Sequence, residues 1–184
     1  GVDISSSALE TARQRGLEQA SFTRAWAEAL PFADSSFDIV LCCEVLEHVD
    51  DPPRVAEELR RVLRPGGLLV ASVPGYTNVY AVPFALAKAG LPWAQRYMRL
   101  QVTDRWTSYP WLRRLLRQHF HITEAVGVRA HPPGMERLDQ WRKTRWVNSI
   151  FFSVEQRLGH TLPWVLAGSH VIVFARPKPT VEEP

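Results

Sequence analysis

The stretch Phe37-Asp-Ile-Val-Leu-Cys-Cys-Glu-Val-Leu-Glu-His48 decides the fold. Ile39 to Cys43 is a short, continuously apolar run rich in branched residues. Such a run suits a strand buried on both faces, as in a parallel sheet covered by helices. Glu44, Glu47 and His48 follow at once, where the strand should give way to a loop. In open α/β sheets ligands bind outside the carboxyl ends of the strands. Polar groups at that point therefore mark the edge of a site. Taken alone, Glu44 and Glu47 fit the start of a solvated helix equally well.

The flanking sequence shifts that balance. Upstream lies Ala27-Glu-Ala-Leu-Pro-Phe-Ala-Asp-Ser-Ser-Phe-Asp38. Downstream, Asp50-Asp51-Pro52-Pro53 supplies a cap and then proline in a first helical turn. Val55, Leu59, Val62 and Leu63 recur at helical spacing and give that helix one core face. Arg60, Arg61 and Arg64 crowd its end, where they complement the helix dipole, and Pro65-Gly66-Gly67 terminates it. Leu68 to Val73 is a second buried run. This ordered series resembles the class I S-adenosylmethionine-dependent methyltransferases, and most of all the ubiquinone- and menaquinone-pathway type. The resemblance covers about residues 1–75 and resumes at 107–127 and 170–176.

The resemblance implies an α/β, Rossmann-like fold over residues 1–176. Its sheet would be mostly parallel, with helices on both faces and an antiparallel C-terminal hairpin. The segments 76–107 and 131–168 read as helical insertions over the site, and 177–184 as a flexible tail. The family's first strand, with its acidic end and glycine-rich turn, has no counterpart here. The opening Gly1-Val-Asp-Ile4 reads as a start partway through a fold. On that reading the chain is a fragment, or the two strands flanking the missing one pair directly in a reduced sheet.

Local signals place the other elements. Val2 to Ile4 is a short strand ending on Asp3, and Ser7 with Glu10 forms a capping box for a helix running to Arg15. Gly16 suits its C-cap. Ala20 to Trp26 reads as the next strand, 108–119 as a helix, Thr123 to Arg129 as a strand, Trp141 to Leu158 as a helix, and His170 to Ala175 as the last strand.

A carboxylate closing a strand before a capped helix is placed to accept hydrogen bonds from ribose hydroxyls. By resemblance, Asp3 and Ile4 would hold the ribose of S-adenosylmethionine. Trp26 stands where the family usually has an aspartate for the adenine amine; its ring can stack on the base instead. Ala27 would offer its backbone N–H to adenine. Cys43 and Glu44 would line the methionine end. His48, with Glu44 and Glu47 nearby, is the candidate general base. The two aromatic-rich insertions favour an apolar or aromatic small-molecule acceptor for O-, N- or C-methylation.

Composition sets bounds. The 184 residues suffice for one domain with a sizeable core, and 46% hydrophobic with 22% charged residues is ordinary for a globular chain. Net charge is +3, too small to imply nucleic acid. It is uneven, with 5 Lys/Arg against 12 Asp/Glu in residues 1–60 and 11 against 4 in 96–145. The basic half fits solvated helix faces or peripheral contact with an acidic membrane surface. No run is apolar for long enough to span a bilayer. Adjacent Cys42 and Cys43 are poor disulfide partners and read as small buried hydrophobes in a reducing, cytoplasmic setting. Two rival functions remain at this point: a non-catalytic binding module that keeps the fold, and a nicotinamide-dependent oxidoreductase.

Overall fold

The computed structural model of the chain describes residues 1–75, 81–98, 105–128, 153 and 156–179. The elements run β1 (Val2–Asp3), α1 (Ser6–Arg13), β2 (Thr23–Arg24), β3 (Phe37–Cys43), α2 (Pro52–Val62), β4 (Leu63–Pro74), α3 (Ala81–Lys88), α4 (Pro92–Met98), α5 (Tyr109–Leu116), β5 (Phe120–Val128), α6 (Leu162–Ala167) and β6 (His170–Pro177). Tyr76, Tyr80 and most of the helix expected over 141–158 lie outside the described residues.

The strands form two sheets. One pairs β1 with β2 in parallel, and the other has the order β3-β4-β6-β5. β3 and β4 are parallel, with Ile39 opposite Leu68 and Cys43 opposite Ser72. β6 runs antiparallel to both β4 and β5, which is the C-terminal hairpin the sequence implies. β1 and β3 do not pair, so the direct pairing offered as one reading of the sequence does not occur.

Alternation along the strands puts every second residue on one face. Val40, Cys42, Leu69, Ala71, Val73, Val171, Val173 and Ala175 share the face that meets Val55, Ala56 and Leu59 of α2, Leu112 and Leu116 of α5, and Val165 of α6. Each fully buried Val or Leu side chain there contributes about 1.5–3 kcal/mol by leaving water. The other face of β3 departs from expectation. Ile39 is 59% exposed and Leu41 70% exposed, so β3 is covered on one face rather than both. β3 is an edge strand of its sheet. Cys42 points into the core and Cys43 outward, so only one of the two cysteines is the buried hydrophobe expected of both.

Helix and strand ends also moved. Ser5, not Ser7, caps α1, its hydroxyl accepting from the Ala8 N–H at 3.2 Å. The cause lies two residues upstream, where the Asp3 carboxylate accepts the Ser5 N–H at 2.7 Å and fixes an Asx turn. The helix ends at Arg13, and the strand expected over 20–26 shortens to Thr23–Arg24. α2 keeps its expected start, with Asp51 as N-cap. β4 follows it without a gap, and residues 64–67 bulge out between Leu63, opposite Phe37, and Leu68, opposite Ile39. Gly67 permits that close approach, since a Cβ there would lie 2.9 Å from the Asp38 carbonyl oxygen.

One buried charge ties the loop before β3 to α2. Glu58 is 3% exposed. Its carboxylate accepts from Arg61 Nε at 2.9 Å and Nη2 at 2.8 Å, a bidentate pair, and from the Leu30 N–H at 2.8 Å. Arg61 also donates to the carbonyls of Leu30 and Phe32, and Arg54 reaches the Glu28 carbonyl at 3.3 Å. The Arg61 hydrogen bonds outweigh burial and hold the Glu58 carboxyl below the usual glutamate range. A carboxyl depressed on folding contributes stability above its unfolded pKa and loses it as pH falls through its folded pKa. Replacing Glu58 with Gln is therefore expected to lower the unfolding free energy by about 2 kcal/mol at pH 7. Urea denaturation should show the difference shrinking as pH is lowered through the carboxylate range. A pH-independent difference would remove the charge from this account.

Candidate functional site

A cleft of about 1070 Å³ lies between the two sheets. Ligand sites typically measure about 300–1,000 Å³, so the space suits a cofactor-sized molecule. Asp3, Ile4, Trp26, Ala27, Glu44 and His48 all line it, joined by apolar Phe32, Phe37, Ile39 and Leu41. Six of the seven residues singled out from the sequence thus meet on one surface. Cys43 is the exception: it is exposed and not among the lining residues, whereas Cys42 is. A smaller cavity of about 330 Å³, lined by Tyr109, Glu124 and His160 among others, contains none of the seven.

Each wall is positioned by local chemistry. The Asx turn places the Asp3 carboxylate at the exposed end of β1, and Arg24 Nε donates to the Ile4 carbonyl at 2.9 Å to hold the next residue. Asp3 uses Oδ1 for the turn, which leaves acceptor capacity for hydroxyl groups. Trp26 is 61% exposed and presents a large ring to the cleft. Ala27 is half-buried against the core, and the Ala29 N–H closes a turn on the Trp26 carbonyl at 3.2 Å. The Arg54–Glu58–Arg61 group fixes the residues that follow.

The opposite wall is the end of β3. Glu44 has φ +54°, in the left-handed region that a residue with a side chain seldom adopts. Its N–H donates to the Ser72 carbonyl at 3.0 Å, and the Ser72 hydroxyl donates to Glu44 Oε1 at 2.7 Å. The other carboxylate oxygen faces His170 Nε2 at 3.6 Å. Sequence reading missed both partners. The available signal was positional: each is a polar residue at the end of an otherwise apolar strand run. His48 lies one turn on, its Nε2 3.8 Å from Glu47 Oε1, and Glu47 is 2% exposed. Arg105 braces this turn, donating to the Val49 and Asp50 carbonyls at 3.0 and 2.7 Å. Thr107 similarly donates to the Pro74 carbonyl at 2.6 Å. The end of the 76–107 segment therefore lies against the residues that follow β3 and β4.

These groups suit binding and proton transfer. Burial, followed by the neighbouring Cys43 and Glu47 charges, pushes the Cys42 thiol up to about 12, which leaves it inert as a nucleophile. Among the described residues no group of three or more His, Cys, Asp or Glu side chains is arranged to hold a metal ion. Among them too, no helix is long and apolar enough to cross a membrane. A strand-end carboxylate can accept hydrogen bonds from hydroxyl groups, and a broad aromatic ring can stack on a planar ring.

Known proteins resemble the chain in sequence and in fold. The methyltransferase domain family matches residues 1–71. An uncharacterized methyltransferase of Mycolicibacterium gilvum is 47% identical over 92 residues, which are 50% of this chain and 34% of that protein. A ubiquinone biosynthesis O-methyltransferase of Cereibacter sphaeroides is 37% identical over 98 residues, 53% of this chain and 38% of that one. The chain thus spans about a third of the length of the curated relatives it matches. Among solved structures, a Thermotoga maritima S-adenosylmethionine-dependent methyltransferase, described as a possible histamine N-methyltransferase, superposes with a TM-score of 0.67 at 22% identity. That match covers 97% of this chain and 72% of the other. The nicotinamide reading finds no support in these relatives. Residues 1–71 match the methyltransferase domain family, and the chain shares the Rossmann-like fold of solved S-adenosylmethionine-dependent methyltransferases.

Proposed function

We propose that the chain is the catalytic core of an enzyme that moves a methyl group from S-adenosylmethionine to a small apolar or aromatic acceptor. The observation that carries this is the convergence of Asp3, Trp26, Ala27 and Glu44 on one cleft between the sheets. The residues stand at the ends of successive strands, where open α/β sheets bind ligands. Asp3, with Ile4 beside it, would hold the ribose, Trp26 and Ala27 the adenine, and Glu44 the methionine end. Bound there, the cofactor supplies an activated methyl group on a positively charged sulfur.

The protein's own task is alignment of the acceptor with that methyl group and exclusion of water. The apolar lining, Phe32, Phe37, Ile39 and Leu41, serves the second task. His48, beside buried Glu47 on the cleft wall, is placed to take a proton from the acceptor. Phe84 is buried and packs edge-on against Trp106, with ring centroids 5.0 Å apart, while Trp93 is 57% exposed. These aromatics of the 76–107 segment favour an acceptor with its own apolar or aromatic surface. The Cereibacter O-methyltransferase among the relatives supports oxygen as the accepting atom.

Replacing Asp3 with Ala is expected to weaken binding of S-adenosylhomocysteine roughly 10- to 100-fold, the loss of about 1.5–3 kcal/mol of charge-assisted hydrogen bonding. Calorimetric titration measures this directly. Unchanged affinity would remove Asp3 from the ribose site. Replacing Trp26 with Leu should weaken binding of adenosine and of S-adenosylhomocysteine by the same factor, since the ring meets only the part the two ligands share. A loss confined to S-adenosylhomocysteine would place Trp26 elsewhere.

A further inference from the structure

α3 reads Ala81-Val-Pro-Phe-Ala-Leu-Ala-Lys88 and carries no polar side chain before its last residue. A helix that is apolar all round is normally covered all round, by a protein core or by lipid. Here one side is covered and the other is open. Phe84 and Ala87 are buried, as is Ala94 of α4, and Phe84 packs edge-on against Trp106. Val82 is 66% exposed, and Ala85 and Ala89 are exposed with it. The three recur at i, i+3 and i+7, so they share one face. Ala89 continues that face past the helix end, since its N–H donates to the Ala85 carbonyl at 2.9 Å. Gly90, with φ +90°, then turns the chain, and α4 opens on exposed Pro92 and Trp93. α3 and α4 pack on each other as a short helical hairpin.

Charge indicates what covers the open side. Residues 76–103 contain no Asp or Glu and three cations, Lys88, Arg96 and Arg99. Lys88 is exposed at the end of α3, with Nζ 5.7 Å from the Phe84 ring centroid. Exposed apolar side chains beside basic residues, with a tryptophan among them, are the makeup of elements that lie in the headgroup region of a bilayer. There the indole ring sits at headgroup level, and a lysine keeps its stem on apolar surface while its amine reaches phosphate. With no carboxylate in the segment, nothing in it repels an anionic lipid. A second copy of the chain suits the face less well, because a two-fold pairing would set the same cations against each other.

We propose that the α3–α4 hairpin is a docking surface for anionic lipid bilayers. Val82 and Trp93 enter the headgroup region, and Lys88 meets lipid phosphate. Docking is peripheral: α3 has eight residues, and among the described residues no helix is long and apolar enough to cross a membrane. Lipid docking at this face does not require methyl transfer in the cleft.

Vesicle sedimentation of the chain tests this, with phosphatidylcholine vesicles and with vesicles in which about a third of the lipid is phosphatidylglycerol. The anionic vesicles are expected to bind roughly 10- to 100-fold more tightly, the scale of two or three cations at an anionic surface. Val82→Asp removes an exposed apolar contact and adds a repelled charge, so it should weaken that binding at least about 10-fold. Its far-ultraviolet circular dichroism should match that of the unsubstituted chain. Trp93→Phe gives a reading that needs no loss of binding. It should bind within about 3-fold of the unsubstituted chain, yet lose most of the fluorescence quenching by lipids with brominated acyl chains, because the inserted indole is gone. Absent binding, equal binding to both vesicles, binding untouched by Val82→Asp, or quenching that persists in Trp93→Phe would overturn the proposal. So would sedimentation velocity showing a lipid-free dimer that Val82→Asp splits, since a second copy would then be what covers the face.

Discussion

Glu58 keeps a buried negative charge satisfied, and the geometry of the cleft depends on that. A lone carboxylate in the interior costs several kcal/mol, so it persists only with paired, well-formed hydrogen bonds. Arg61 supplies two and the Leu30 N–H a third. The arrangement also fastens the carbonyls of Leu30 and Phe32 to α2. The 28–36 loop joins the small β1–β2 sheet to β3, and Trp26 and Ala27 sit at its start. This anchor, with Ala27 packed against the core, holds the wall of the cleft that carries Trp26 in place.

The cleft exists because the sheet is split. β1 with β2 forms one parallel pair, and β3 opens a separate four-stranded sheet. Their facing edges are the cleft walls, so the ends of β1, β2 and β3 gather around a single space. The same split exposes Ile39 and Leu41, which a continuous, doubly covered sheet would hide. The core compensates on the other face, where α2, α5 and α6 cover the strands completely enough to bury Leu69, Ala71, Val73, Val171 and Val173.

The sequence was most legible where a signal was local and repeated. α2 announced itself through Asp51, the two prolines and the 3–4 spacing of Val55, Leu59 and Val62, and it begins where those residues place it. The apolar runs became β3, β4 and β6, and the hairpin formed as the resemblance implied. Less legible was anything set by distant neighbours. Ile39 and Leu41 look buried because their types are, yet exposure depends on what lies above a strand. Ser7 looked like the cap until Asp3 fixed the turn that gives the role to Ser5. His170 drew no attention because its meaning comes from register: an antiparallel β6 brings its first residue beside the last residue of β4 and so within reach of Glu44. Cys43 is exposed and lies outside the cleft lining, although Ile39 and Leu41 on its own face of β3 belong to that lining.

The central claim is that one cleft between the two sheets takes the cofactor with its nucleoside end on Asp3 and Trp26. The most direct test is backbone amide NMR of the chain during titration with S-adenosylhomocysteine. Shift changes are expected to cluster at residues 3–5, 26–28 and 43–45, on the three walls at once, and to spare 122–125 and 160 beside the smaller cavity. Changes centred on the smaller cavity, or a saturating titration that leaves residues 3–5 and 26–28 unmoved, would contradict the account.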